Sequence, residues 1–340
     1  MKKSLLNILK IIFFLGLGVV LVWLALRDKS AKEINDIFLS IKNANFFWLF
    51  LSLVVSGLSH YFRALRWKLM LKPLGHAPKT SNAFFSVMVG YLTNLAVLRA
   101  GEVTRCGLLT TYEKVPFVEG FGTVIAERAL DLICLILVFF IMLGMEFDKI
   151  YGLANELILT PVSEKFHALM QKQIFLIAGG TAVFIIILAF FFFRKKIQSV
   201  FSEKIKGFVK GLWGGLISTK NVEQKGLFFL YTGSIWLMYI LQVYVCFFAF
   251  AETSHLAFSV AMVIMVFGSL GVIAVPGGTG AYQLIVIHVL TSVYLISENY
   301  SNAFAWAVWC SQIIMILALG VISLVLLPIV NKGIKTETTT

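Results

Sequence analysis

The chain has 340 residues, of which 59% are hydrophobic and only 14% are charged, and its mean hydropathy is +0.90. A soluble globular domain carries about 25% charged residues. A single core of this size cannot hide so many apolar side chains, so the surplus must face lipid and a soluble enzyme is excluded. The net charge of +12 comes largely from short basic loops between apolar runs. This pattern indicates cytoplasmic loops and contact with anionic lipid, not nucleic acid.

Apolar runs long enough to cross the roughly 30 Å hydrocarbon core of a bilayer recur along the chain. A helix satisfies its own backbone in that environment, so each run predicts a transmembrane helix. The predicted spans are 7–26, 46–65, 117–145, 173–193, 226–250 and 303–328. Because Ala25-Leu26-Arg27-Asp28 lacks the small residues of a cleavage site, we expect the first span to remain uncleaved.

Two further apolar regions are interrupted, residues 82–105 at positions 98–102 and residues 256–297 at positions 275–280. Loops 63–80 and 194–225 are rich in Lys and Arg, which is typical of cytoplasmic loops. We therefore predict that these loops and both termini lie in the cytoplasm. If residues 82–105 crossed fully, the second basic loop would lie outside, so we predict a re-entrant hairpin there. Residues 256–297 must also return to their starting side, either as a hairpin or as two crossings.

The predicted order is span, span, broken segment and span, repeated once with the second half starting on the other side. This order is typical of an inverted repeat, with halves 1–145 and 173–328 in a single membrane domain of residues 1–340. The alternative is a bundle of about eight ordinary helices whose glycines allow close packing. The predicted fold class is therefore all-α, a polytopic membrane helical bundle with six full spans and two interrupted or re-entrant segments.

Charged side chains at membrane depth are candidate functional residues, because each costs several kcal/mol unless it is paired or hydrated. Arg63 and Arg66 share one helix face and suit a phosphate, although arginines beside Trp67 are also ordinary interfacial anchors. Arg99, Glu102 and Arg105 recur every three residues and would line one side of a helix with a net positive charge. The alternative for this second cluster is a solvated loop.

A third cluster, Glu127, Arg128 and Asp131, lies inside the predicted span 117–145. Its net negative charge suits pairing with Arg99 or Arg105, and a purely structural ion network is the alternative.

The fourth candidate, Pro276 to Gln283, contains Gly277, Gly278 and Gly280. Unwound backbone at this depth lines a cavity or is buried in protein, and the helix after Gly280 would offer free N–H groups to an anion. A tight turn between two helices is the alternative.

No spacing of histidines, acids or cysteines indicates a metal site, a nucleophile with its base, or a nucleotide-binding loop. The cysteines Cys106, Cys134, Cys246 and Cys310 are far apart in or beside apolar segments. We therefore expect four free thiols, no cofactor, no metal and no enzymatic activity.

At the four clusters the sequence resembles the flippase-like membrane region of the lysylphosphatidylglycerol synthases, the multiple peptide resistance factor family, and its stand-alone relatives. The matching residues are Arg63-x-x-Arg66-Trp67, Arg99-x-Gly101-Glu102-x-x-Arg105, Glu127-Arg128-x-x-Asp131 and Pro276-Gly277-Gly278-x-Gly280. The resemblance covers nearly the whole chain. It implies a cytoplasmic-membrane protein that moves lipids or lipid-linked groups between leaflets.

The resemblance has two departures. Val97 stands where family members often have Pro, and Gln283 stands where they often have Glu, which weakens the case for proton coupling. Bifunctional members carry a soluble aminoacyl-transfer domain after the membrane part. This chain ends at Thr340, shortly after the last predicted span, so we expect the stand-alone form.

The expected function is that of a flippase-like transporter for an anionic phospholipid or lipid-linked group. In this hypothesis Arg99, Arg105 and Arg66 bind the headgroup, and acidic residues pair with the arginines when the site is empty. The glycine break at 277–280 lets the second hairpin change shape. The alternatives are a non-catalytic subunit that scaffolds a separately encoded transferase and a secondary transporter for a small solute. Besides lipid, the partners expected are such a transferase or further copies of the chain.

The complete set of residues predicted for the headgroup site is Arg63, Arg66, Arg99, Glu102, Arg105, Glu127, Arg128, Asp131, Gly277, Gly278, Gly280 and Gln283.

Overall fold

The computed structural model of the protein describes residues 31–97, 99–154 and 221–332. All regular structure in these residues is helical, as the sequence predicts. The α-helices are α1 (Ala31–Lys42), α2 (Phe46–Leu71), α3 (Thr80–Ala96), α4 (Ala100–Glu113), α5 (Phe117–Met145), α6 (Phe147–Ala154), α7 (Lys225–Phe247), α8 (Phe258–Ala274), α9 (Ala281–His288) and α10 (Glu298–Val330). Short helical turns occur at Lys72–Leu74, Pro276–Gly278 and Val289–Val293.

Four of these helices, α2, α5, α7 and α10, are long and apolar enough to cross a membrane. They correspond to the predicted spans 46–65, 117–145, 226–250 and 303–328, whereas the predicted spans 7–26 and 173–193 lie outside the described residues. Large apolar side chains are exposed along α5 and α10, as expected for surfaces that face acyl chains. Helix α2 continues past its predicted end to Leu71, so Arg63 and Arg66 lie within the helix and not at its boundary.

The chain divides into two compact units. The first comprises residues 1–145 and 212–340 and contains every described helix except α6, and the second comprises residues 146–211. In the second unit, α6 presents Phe147 and Tyr151, whose rings stack with centroids 5.9 Å apart. The four cysteines all lie in the first unit and are free thiols, as expected.

Helices α3 and α4 form an antiparallel hairpin in the first interrupted region. At its open end, the Glu113 carboxylate accepts hydrogen bonds from the Asn82 side chain at 2.6 Å and from the Lys79 backbone N–H at 3.0 Å. The legs contain 17 and 14 residues, so they are about 26 and 21 Å long. Both are shorter than a hydrocarbon core of roughly 30 Å. The segment therefore leaves at the end where it enters, and its re-entrance into the membrane remains a prediction.

The two legs of this hairpin approach each other at a pair of glycines. A Cβ atom on Gly90 would lie 2.9 Å from the carbonyl oxygen of Gly101, and a Cβ atom on Gly101 would overlap the carbonyl group of Gly90. One turn closer to the tip, the Asn94 side chain accepts a hydrogen bond of 2.7 Å from the Gly101 N–H. This bond satisfies one of the free N–H groups at the start of α4.

Helices α8 and α9 form the second hairpin, and whether its legs cross the membrane fully or only in part remains open as in the sequence. The turn of this hairpin contains three glycines with positive φ angles: Gly277 at 64°, Gly278 at 71° and Gly280 at 77°. Residues with a Cβ atom rarely adopt such angles. Below the turn, a Cβ atom on Gly271 would lie 2.6 Å from the backbone nitrogen of Tyr282. A glycine again allows the two legs to approach.

The tips of the two hairpins meet. The Cβ position of Gly277 is 3.3 Å from the Leu95 side chain, at the end of α3. The indole N–H of Trp309 on α10 donates a hydrogen bond of 2.8 Å to the Gly277 carbonyl oxygen. The two interrupted segments therefore contact each other and the last described span.

The hairpins enter the bundle from opposite ends. The first opens at the end of α10, where Asn82 and Asn331 exchange hydrogen bonds of 2.9 and 2.8 Å. The second opens at the start of α10, where the Ser297 hydroxyl donates to the Glu252 carboxylate at 2.7 Å. Helix α10 packs on α3, and α5 packs on α8, so the last helix of each half covers the first leg of the other hairpin. An inverted repeat with two halves remains a prediction, and the opposite openings of the two hairpins are compatible with it.

Candidate functional site

Six charged side chains from three helices converge inside the first unit, and we call them the arginine cluster. Helix α2 contributes two arginines, α4 contributes one, and α5 contributes one arginine and both acids. The members are Arg63, Arg66, Arg105, Glu127, Arg128 and Asp131. All six belong to the set of site residues predicted from the sequence, and the structure brings them together.

Glu127 is the centre of the cluster and is completely buried. Its carboxylate oxygen Oε1 accepts hydrogen bonds from Arg63, from Arg128 at 2.7 Å and from Arg105 at 3.2 Å. The second oxygen, Oε2, accepts a longer bond of 3.4 Å from Arg105. One carboxylate therefore compensates charge from three guanidinium groups on three helices.

Asp131 lies one helical turn further along α5 and bridges the two arginines of α2. Its Oδ2 accepts from Arg63 at 2.8 Å, and its Oδ1 accepts from Arg66 at 2.7 Å. The bridge depends on matched spacing, since residues three or four apart on a helix lie on the same face. The periodicity of α2 and that of α5 thus place two arginines opposite two acids.

Arg105 enters the cluster from the second leg of the first hairpin. Its guanidinium carbon lies 4.8 Å from the ring centroid of Trp67, which is a favourable cation–π distance. The Trp67 indole N–H in turn donates a 2.9 Å hydrogen bond to the Thr123 hydroxyl on α5. Trp67 is completely buried, so it orients Arg105 and does not act as an interfacial anchor.

The cluster contains more positive charge than its carboxylates compensate. Four arginines face two acids, which leaves two positive charges in a largely buried network. Several buried guanidinium nitrogens also have no hydrogen-bond partner within the described part of the chain: Arg63 Nε, Arg66 Nε, Arg66 Nη1 and Arg105 Nε. Unpaired donors and uncompensated charge are costly when buried, and a bound anion would satisfy both.

One edge of the cluster is accessible from the side of the bundle. The Arg128 side chain is 42% exposed and Asp131 is 15% exposed, whereas the other members are nearly inaccessible. On α5, Arg128 shares a face with Ile125 and Leu132, which are exposed apolar residues. The polar edge therefore opens beside a surface suited to acyl chains.

Tyr239 on α7 belongs to the site although its sequence context did not indicate it. Its hydroxyl accepts a 2.9 Å hydrogen bond from Arg63 Nη2. Helix α7 carries several aromatic residues among apolar ones, and nothing in their spacing distinguishes Tyr239 from Tyr231 or Tyr244. Only the packing of α7 on α2 brings this hydroxyl to an arginine.

We expect Tyr239→Phe to lower the free energy of unfolding by about 1–2 kcal/mol, because it leaves a donor of a buried guanidinium group without its partner. Reversible unfolding in mixed detergent micelles measures this change. The matched control is Tyr231→Phe on the same helix. The Tyr231 ring stacks on Phe62, and phenylalanine would keep this stacking. Equal losses in the two variants would contradict a specific role for the Tyr239 hydroxyl.

Arg99 and Glu102 make no ion pair with the arginine cluster among the described residues, and only Glu102 shares a helix face with Arg105, because Arg99 lies before the start of α4. Arg99 precedes α4 in the left-handed conformation, with φ of 62°, and its side chain is exposed. Glu102 lies 3.4 Å from the Asn94 amide, and no ion pair joins it to an arginine among the described residues. Because Arg99 lies in the turn before α4, its side chain does not follow the spacing of Glu102 and Arg105 along the helix. The alternative of a solvated loop describes the exposed Arg99 but not Arg105, which is buried within α4.

The glycine segment lies at the tip of the second hairpin. Gly277 lies in the tight turn between α8 and α9, and this turn packs beside Leu95 and Trp309, as described above. Gln283 follows on α9, where it is completely buried with both amide atoms lacking a hydrogen-bond partner in the described residues. Its proposed contact with a headgroup, like that of the glycines, remains a prediction.

Comparison with known proteins identifies the family of the chain. The model of the lysylphosphatidylglycerol synthase transmembrane region matches residues 7–320. A UPF0104 membrane protein of Methanocaldococcus jannaschii is 30% identical over 128 residues, which are 37% of this chain and 36% of that protein. The similarity to this relative thus spans about a third of its length. No solved structure matches the chain. Since the family match covers most of the chain, including the arginine cluster and both hairpins, the protein belongs to the lysylphosphatidylglycerol synthase transmembrane region family.

Proposed function

We propose that the protein moves an anionic phospholipid or a lipid-linked group between the leaflets of the cytoplasmic membrane. The observation that supports this function is the arginine cluster, which has surplus positive charge, unpaired buried donors and one laterally accessible edge. Guanidinium groups bind phosphate through paired, charge-assisted hydrogen bonds. The exposed apolar face beside Arg128 favours a lipid over a water-soluble solute.

In the proposed mechanism, Asp131 occupies the headgroup position when the site is empty. Its two oxygens bridge Arg63 and Arg66, which is the contact that a phosphate makes with two arginines. An incoming headgroup would enter past Arg128 and replace Asp131 at these two arginines, while Asp131 stays within the cluster and the acyl chains stay along α5. Glu127, which is completely buried, would hold the arginines in place throughout.

The contact between the hairpin tips provides a place for the accompanying conformational change. Gly277 permits backbone geometries that other residues resist, and it touches the first hairpin at Leu95. A rearrangement of one tip would therefore alter the other. Because Lys68, Lys72 and Lys79 gather near the open end of the first hairpin, the proposal places this end and both termini in the cytoplasm.

The test is lipid movement in liposomes that contain the purified protein and a trace of acyl-labelled phosphatidylglycerol, with and without a proton gradient. Dithionite added outside bleaches only the label in the outer leaflet. The slower decay of label fluorescence that follows therefore reports the movement of lipid from the inner to the outer leaflet. We expect Arg66→Gln to slow this decay about tenfold, since charge-assisted hydrogen bonds carry the headgroup contact. Arg99→Gln, which removes an arginine outside the cluster, is the matched control and should remain within about twofold of the wild type.

Gel filtration and thermal unfolding show whether each variant is folded. A folded wild-type protein that moves no lipid under either condition would contradict the proposal and favour the scaffold hypothesis. Equal slowing by Arg66→Gln and Arg99→Gln would contradict the assignment of the site to the cluster.

A further inference from the structure

The charge balance of the arginine cluster bears on the class of lipid that it binds. Four guanidinium groups and two carboxylates leave a surplus of two positive charges. The other titratable side chains that face Arg63 are Tyr239, Tyr91 and His60, and phenol and imidazole groups supply no negative charge at neutral pH. These neighbours of Arg63 therefore do not cancel the surplus, and no ion pair within the described residues joins Glu102, the nearest further acid on α4, to the cluster.

Net charge in a site of low polarity is expensive, because each uncompensated ion loses its hydration. A phosphodiester headgroup carries one negative charge and would leave one positive charge uncompensated. A phosphomonoester carries close to two negative charges above its second pKa of about 6. Only the doubly charged group would bring the cluster to neutrality.

The number of donors leads to the same class of ligand. The Asp131 carboxylate has two oxygens, and they are already used by Arg63 and Arg66. Four further guanidinium nitrogens in the cluster have no partner among the described residues. A terminal phosphate has three free oxygens, whereas the phosphate of a diester has two. The third oxygen would offer these donors one acceptor more than a diester or the Asp131 carboxylate does.

We propose that the cluster selects lipids with a terminal phosphomonoester over lipids with a phosphodiester headgroup. This inference rests on the proposed function and specifies its substrate class. The lipid character of the ligand follows from the position of Arg128, which is 42% exposed on the same face of α5 as Ile125 and Leu132. A free phosphate ion shares the headgroup chemistry but gains nothing from that apolar surface.

The experiment compares phosphatidic acid and phosphatidylglycerol that carry the same labelled acyl chain. Both are followed in liposomes containing the wild-type protein at a pH of about 8, where the monoester is doubly charged, and rates in protein-free liposomes are subtracted. We expect phosphatidic acid to move about tenfold faster. Millimolar inorganic phosphate should leave its rate unchanged.

The surplus charge is tested with two variants of Arg128, the most exposed member of the cluster. Arg128→Gln lowers the surplus to one positive charge. The variant should therefore move phosphatidic acid and phosphatidylglycerol at about the same rate. Arg128→Lys keeps the charge and should keep the preference. A merely structural role of Arg128 would change both rates together and leave their ratio unaltered.

The outcomes separate this inference from the function on which it rests. Movement of neither lipid by folded protein would overturn the proposed function. Movement of both lipids at equal rates would leave that function in place and overturn the selectivity. A preference that survives Arg128→Gln would overturn the charge argument, and strong inhibition by inorganic phosphate would identify the free ion, not the lipid, as the ligand.

Discussion

Glu127→Gln is expected to lower the free energy of unfolding by about 3–5 kcal/mol, which is the usual cost of leaving a buried charge without its partner. The substitution keeps the shape of the side chain but removes the carboxylate that, among the described residues, alone contacts Arg63, Arg105 and Arg128 together. Three positive charges in the cluster would then be uncompensated. Reversible unfolding in mixed detergent micelles provides the measurement, and lipid movement should be lost with stability.

A matched control for this variant is Glu223→Gln. Glu223 is an exposed carboxylate whose pKa is lowered by a hydrogen bond from Lys72 and by the charge of that residue. Because water already solvates both partners, the loss of this ion pair should have no measurable effect on unfolding. If Glu127→Gln were as stable as this control, the cluster would not be a buried ion network.

Gly101→Ala is expected to have the second-largest effect, with a loss of about 1–3 kcal/mol or more in the free energy of unfolding. The new methyl group would overlap the carbonyl oxygen of Gly90 and lie 2.7 Å from its carbonyl carbon. Both are backbone atoms, so the legs of the hairpin must separate. Their separation would also shift Arg105, on the same helix, away from Glu127.

Gly107→Ala on the same helix is the control, because its Cβ position has no neighbouring atom within 4 Å. Alanine is favoured over glycine in a helix by up to about 1 kcal/mol, so this variant should be as stable as the wild type or slightly more stable. Thermal unfolding of the two variants side by side tests the prediction. Similar midpoints for both would show that the hairpin legs do not depend on glycine for their approach.

The helices and the position of the cluster could largely be predicted from the sequence. Apolar runs of about 20 residues have few alternatives to a membrane helix, because every backbone group must be satisfied locally. The spacing of Arg63 and Arg66, and that of Glu127 and Asp131, was sufficient to place each pair on one helix face. The basic loops predicted the first hairpin, since a full crossing would have moved one of them to the wrong side.

Other features depend on contacts that local spacing does not encode. Arg99 follows the three-residue repeat in the sequence, yet its positive φ angle of 62° removes it from the helix. Tyr239 reaches Arg63 across 176 residues of sequence, and Trp67 orients Arg105 from another helix. Whether an arginine is an interfacial anchor or part of a buried network is decided by these neighbours.

The amino-acid sequence by itself determined the class of protein, an all-helical membrane protein with two interrupted segments, because hydropathy and helical periodicity act over a single turn or a single span. Only the tertiary structure decided which charges share a carboxylate and that the hairpin tips meet at Leu95 and Gly277. The physical reason is that ion pairing and close backbone approach depend on distances between helices. Those distances are set by the packing of all the helices together.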